Sequence, residues 1–158
     1  MGHDITAIRP NVDEDQLYEK FDIATHDDGW RDRYREYRDA VEVAYNRRSA
    51  GNPLNQVLYL ALGVMDEAYA GCSGNGIELD ITRDQFDSAL RILETKNFAN
   101  MTRERNISDD LVQMFATWGV TVEPGSWDDD VSSEREFVKK CIAFMDENNH
   151  KTVKVCFG

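Results

Sequence analysis

Basic residues are in short supply in this chain. Eighteen lysines and arginines face 30 aspartates and glutamates, a formal charge of −12. A protein that grips nucleic acid through its phosphates needs a basic footprint, so direct nucleic-acid binding is not expected. Long apolar runs are also missing. No stretch approaches the roughly 20 residues of a membrane span, and the opening "MGHDITAIRP" lacks the basic and apolar regions of a secretory signal. A cytoplasmic protein with no membrane partner is the expectation. The same opening fits the loose myristoylation pattern through Gly2 and Thr6, but an N-terminal strand accounts for it better. Cysteine is sparse: Cys72, Cys141 and Cys156 are odd in number and have no metal-type spacing. They read as reduced thiols, with Cys141 and Cys156 buried. His3, His26 and His150 are scattered, and no Cys/His zinc site is visible.

What is present is ordinary globular material. The 158 residues, 41% hydrophobic and 30% charged, suit one domain over 1–158 with a sizeable core. "HDITAI" alternates as a strand ended by Pro10. "VDEDQLYEKF" reads as a short acidic helix. From Trp30 the apolar positions Trp30, Tyr34, Tyr37 and Val41 follow a helical stripe, while Arg31, Arg35 and Arg38 share another, solvated face. Val41, Val43 and Tyr45 then alternate as a strand, although a continuing helix also fits. Asn52 is a good N-cap with Pro53 behind it, and "NPLNQVLYLALGVMDEAYAG" reads as one core helix ended by Gly71.

"GCSGNG" resembles a phosphate-cradling loop but has no lysine and precedes its strand, so it is a turn. "IELDI" is a strand with Ile77, Leu79 and Ile81 on one face. Thr82 and Gln85 form a capping box for "TRDQFDSALRIL". Ser108 caps a further helix ended by Gly119, and "VTV" follows as a short strand. "SEREFVKKCIAFMDEN" is an amphipathic helix with Phe137, Val138, Cys141, Ile142 and Met145 inward. "KTVKVCF" closes as a strand. The order predicts an α+β fold, a small, mostly antiparallel sheet with helices covering one face.

Chemistry is less visible than fold. No nucleophile elbow appears. Asp128, Asp129 and Asp130 are neighbours by adjacency; they would hold magnesium weakly, and a charge run ahead of a helix explains them better. No catalytic residue, metal ligand or cofactor is expected, although a metal-dependent hydrolase stays open as a third class.

Several segments together resemble a family of small, uncharacterised bacteriophage proteins. Members open with a Met-Gly-Leu-Asp strand, here "MGHDITAI", and carry a central Glu-Val-Ala-Tyr-Trp-Arg-Lys-Ala-Asn segment, here "EVAYNRRSAGN". A strand with a Ser-Arg-Glu-Gln-Leu helix follows, here "ELDITRDQFDSAL". Then come a Gly/Ser turn, an acidic approach to the last helix and a final strand, here "GVTVEPGSWDDDVSSEREF" and "KTVKVCF". Asp4, Glu42, Tyr45, Arg47 and Asn52 match family positions, and Arg48 stands at a family lysine. Asn46 replaces the usual aromatic, two extra residues precede Asn52, and Asn55 stands where histidine is frequent. The resemblance implies a phage origin, expression inside a bacterial host cell and an α+β fold.

Two uses of Arg47 and Arg48 follow. One is a buried cluster in which Asp4 and Glu42 answer the arginines, Arg47 being the more important. The other is a ligand site in which Arg38, Tyr45, Arg47, Arg48 and Asn52 hold an anionic nucleotide. For the whole protein the expected function is non-enzymatic. It is a phage accessory protein that binds and inhibits a host or defence protein with a basic surface. Trp127, Asp128, Asp129, Asp130 and Glu134 are the expected contact residues, an aromatic in an acidic rim. Sequestration of a nucleotide signal is the alternative.

Overall fold

The computed structural model describes residues 2–95, 116–119 and 130–158. The expected helix behind Ser108, except for its end at residues 116–119, lies outside those residues, as do the "VTV" strand and Trp127, Asp128 and Asp129. The rest forms one antiparallel sheet with helices. Strand β1 is Gly2–Ile8, helix α1 Glu14–Lys20, α2 Trp30–Val41 and β2 Glu42–Ser49. A 3-10 turn at Pro53–Gln56 leads into α3, Val57–Leu62, and α4, Met65–Ala68. Strand β3 is Ile77–Thr82, α5 Arg83–Thr95, α6 Ser132–Asn148 and β4 Thr152–Phe157. The sheet order is β2-β1-β4-β3, with every neighbouring pair antiparallel.

Strand alternation sorts the sheet into two chemically different faces. On the inner face Ile5 lies opposite Phe157, Ala7 opposite Ala44 and Val155, and Val153 opposite Ile81. These side chains are buried and join Val57, Leu58 and Leu62 of α3, Phe86, Ala89 and Leu93 of α5, and Phe137, Val138, Cys141 and Met145 of α6. The outer face carries Asp4, Thr6, Tyr45, Arg47, Glu78, Asp80, Lys154 and Cys156, by the same register. Helix α2 stands on this side, because Tyr34, Tyr37 and Arg38 share a cleft with Thr6, Glu78 and Cys156. The expectation that helices cover one face alone is therefore corrected. The tyrosine stripe of α2 is apolar enough to need a surface, and the inner face is already filled. Cys156 is correspondingly half-buried on the outer face rather than in the core.

The single helix expected over 52–71 is interrupted at Gly63. This residue has φ +72°, and its N–H donates to the Leu60 carbonyl while that of Val64 donates to Tyr59. That double bond is a Schellman termination, which needs a residue tolerant of the left-handed region. The expected caps at Asn52 and Thr82 hold, while Val41, expected to open the following strand, is the last residue of α2. The Asn52 side chain accepts from Leu54 N at 2.8 Å. Gln85 N donates to Thr82 Oγ1 at 3.3 Å, and Thr82 N donates back to Gln85 Oε1 at 3.0 Å. The "GCSGNG" segment is a turn packed against β4: a Cβ on Gly74 would meet the Phe157 carbonyl oxygen at 2.4 Å.

Among the polar side chains buried in the inner layer is a histidine. His3 is 1% exposed. Its Nδ1 lies 3.0 Å from the Tyr59 hydroxyl, and its ring stacks on Tyr69 at 5.1 Å. Its Nε2 is buried with no hydrogen-bond partner. Burial pushes the imidazole below 6.5, against weaker opposing effects of the Gly71 backbone and Asp4. A histidine with a depressed folded value resists a proton that the unfolded chain accepts. Its contribution is complete above 6.5 and is lost as pH falls through that value toward the folded one. Urea denaturation at about pH 7.5 and pH 5.5 should show wild type losing more stability on acidification than His3→Phe. Equal losses would contradict the assignment.

Candidate functional site

The two arginines at the end of β2 point to opposite faces, as adjacent strand residues must. Arg48 lies on the inner side. Its Nε and Nη2 donate to Glu134 Oε1 and Oε2 at 2.6 and 2.8 Å, and Nη2 also donates to the Asp130 carbonyl at 2.7 Å. Glu134 is fully buried and Arg48 nearly so, with side-chain exposures of 0% and 14%. Ser133 Oγ donates to Glu134 Oε2 at 3.0 Å and accepts from Asn46 Nδ2 at 3.1 Å. This network ties the first turn of α6 to β2. Arg47 lies on the outer side, 63% exposed and 3.6 Å from Asp4.

Three expectations change accordingly. Arg48, not Arg47, is the structural arginine, and its carboxylate is Glu134 rather than Asp4 or Glu42. Glu134 cannot serve as an exposed partner contact, since it sits inside the molecule. The five proposed ligand residues do not converge either. Arg48 faces inward, Asn52 caps the 3-10 turn, and only Arg38, Tyr45 and Arg47 share the outer face. Asp130 is on the surface, but its carboxylate accepts from the Ser132 amide and hydroxyl, each at 2.8 Å. Those bonds, together with nearby Arg135 and Arg48, hold it below the usual carboxylate range.

The outer face gathers a different set of groups. Arg38 forks onto Glu42, Nε to Oε1 at 2.9 Å and Nη2 to Oε2 at 2.7 Å. Its guanidinium lies 4.5 Å over the Tyr45 ring, and the Tyr45 hydroxyl donates to the Asp4 carboxylate. Beside this pair the cleft under α2 encloses about 320 Å³, lined by Thr6, Ile8, Glu14, Tyr34, Tyr37, Arg38, Val41, Glu42, Glu78 and Cys156. Ile8, Glu14 and Glu78 also line an adjoining hollow of about 320 Å³ that extends to Asp80, His150 and Lys154. Burial first, then the charges of Glu14 and Glu42 and the neighbouring tyrosines, push the Tyr37 phenol up. The Cys156 thiol, donating to Glu78 at 3.3 Å, is pushed up to about 12 by burial and by that carboxylate. Burial and that carboxylate both favour the protonated thiol, the opposite of the electropositive setting that activates a cysteine. The thiol and Lys154 in turn hold Glu78 below the usual carboxylate range.

Glu14, Tyr37, Glu78 and Asp80 were not singled out as functional from the sequence. The signal was available for two of them: alternation in β3 that sends Ile77 and Leu79 inward sends Glu78 and Asp80 outward. Among the described residues there is no group of three or more His, Cys, Asp and Glu side chains able to hold a metal ion. Among them also, no helix is long and apolar enough to cross a membrane. No protein-family model, curated protein or solved structure matches the chain.

The arginine assignments make a direct prediction. Arg48→Ala strands a buried carboxylate and should cost about 3–5 kcal/mol, a visible fall in melting temperature. Arg47→Ala loses only an exposed contact and should melt close to wild type. Thermal melts with the reverse ranking would overturn the pairing.

Proposed function

We propose that the protein is a non-enzymatic, phage-encoded accessory protein that binds and inhibits a host or anti-phage defence protein through a basic surface on that partner. The carrying observation is the outer sheet face, where Glu14 and Glu78 line a tyrosine-walled cleft and continue into an adjoining hollow that reaches Asp80. The net charge of −12 favours a basic partner, speeds its approach and repels acidic competitors. The outer face takes over the contact role first given to Glu134. Asp130 stays a rim residue, and Trp127, Asp128 and Asp129 keep the role that their composition suggests. Affinity chromatography from bacterial lysate should enrich a basic protein at low salt and lose it at high salt. Glu14→Lys with Glu78→Lys should abolish the enrichment without lowering the melting temperature, because both side chains are exposed. An unchanged yield from that variant would count against the face.

Sequestration of a nucleotide signal is the second reading, and one observation favours it. A hollow of about 480 Å³ on α2 is lined by Trp30, Arg31, Tyr34, Arg35, Arg38, Asp39 and Glu42. Aromatic faces and guanidinium groups are what a nucleotide needs. The charge balance there is less favourable, since Arg35 lies 3.5 Å from Asp32 and Arg38 is forked onto Glu42. Calorimetry with cyclic and linear nucleotides decides it. Micromolar binding that disappears in Arg31→Ala with Arg35→Ala would place this reading first, and no heat from any nucleotide would remove it.

A further inference from the structure

We infer that the cleft under α2 receives a single arginine side chain of the partner, its guanidinium against the rings of Tyr37 and Tyr34 and its charge met by Glu14 and Glu78. This inference rests on the outer face being the docking surface and names what that surface recognises.

The wall of the cleft already shows the chemistry. Arg38 lies over the Tyr45 ring and forks onto Glu42, so a guanidinium, a tyrosine face and a carboxylate are assembled within the chain. The cleft beside it offers the same kinds of group again, tyrosine rings with carboxylates. Arg38 and Glu42 cancel each other there. Glu14 has no ion-pair partner among the described residues, and the contact of Glu78 with Lys154 is a 3.4 Å pair with both side chains about half exposed. Such a pair is worth little and yields readily to a better cation. The field in the cleft is thus negative, and the charges of Glu14 and Glu42 add to the burial that raises the Tyr37 phenol.

Size and shape narrow the occupant. About 320 Å³ is at the small end of ligand sites, enough for one side chain and too little for a helix. A planar guanidinium stacks on tyrosine while keeping its edge donors for carboxylates. A lysine ammonium is a hydrated point charge that does this less well. An arginine on an extended segment is therefore favoured over lysine or a diffuse basic patch.

The test uses the whole chain and three capped pentapeptides, Gly-Gly-X-Gly-Gly, with X arginine, lysine or citrulline, and spermidine as a simple cation. Binding is followed by NMR on ring-labelled tyrosine. The arginine peptide should saturate with shifts centred on Tyr37 and Tyr34, the lysine peptide should bind several-fold more weakly, and citrulline should not bind. Glu14→Gln with Glu78→Gln should abolish the arginine effect, with unchanged melting temperature confirming the fold. Equal binding of arginine peptide and spermidine, no binding of either, or shifts that survive the double variant would each overturn the inference. A lysate partner lost on charge reversal but without arginine selectivity would overturn this inference and leave the docking surface standing. Arginine selectivity with no lysate partner would do the opposite.

Discussion

Taking a guanidinium and a carboxylate out of water costs several kcal/mol for each ion, recovered only if each satisfies the other in full. Arg48 and Glu134 meet that condition with two parallel bonds, a third to the Asp130 carbonyl, and Ser133 on the remaining carboxylate valence. The rest of the inner layer depends on this pair. It fixes the start of α6 against β2, and the helix period then places Phe137, Val138, Cys141 and Met145 on the sheet. A small displacement of that first turn would leave a charge buried and unmatched. The pair therefore supplies directional specificity that the apolar contacts alone do not carry.

The inner layer in turn decides what is left for the outer one. With α3, α5 and α6 occupying the inner face, α1 and α2 have only the outer face to pack on. That face presents Thr6, Tyr45, Glu78 and Cys156 rather than an apolar surface. The tyrosines of α2 fit this setting because each has an apolar ring and a polar tip. They contact one another in a ladder from Trp30 through Tyr34 to Tyr37, with centroid spacings of 4.8 and 6.2 Å. The packing is open enough to leave the cleft, and the carboxylates around it give the cleft its sign. A well-packed apolar layer therefore lies on one side of the sheet and a loosely covered polar layer on the other. The carboxylates and tyrosines of the cleft sit on strands and on helices α1 and α2, not on loops.

Much of the architecture could be read directly from residue order. The alternation of Val153, Val155 and Phe157, the capping exchange of Thr82 and Gln85, the N-cap of Asn52 and the buried stripe of α6 are local patterns, and local patterns are what a sequence displays. The antiparallel α+β class followed from them. The site was much less legible. Arg47 and Arg48 look equivalent as letters, yet one is exposed and the other is buried on Glu134, 86 residues away. Glu134 reads as one more member of an acidic run, because nothing nearby in sequence marks it as buried.

The sequence by itself determined the periodicities, the caps, the charge excess and the two-sidedness of each strand, since these depend on neighbours within a turn or a pleat. Only the tertiary structure decided which face of β2 meets α6, which carboxylate answers which arginine, and that α2 crosses to the outer side. Those outcomes come from long-range packing. Once the inner face is filled and Arg48 is matched with Glu134, helices α1 and α2 and the carboxylates around the cleft have the outer side left to occupy.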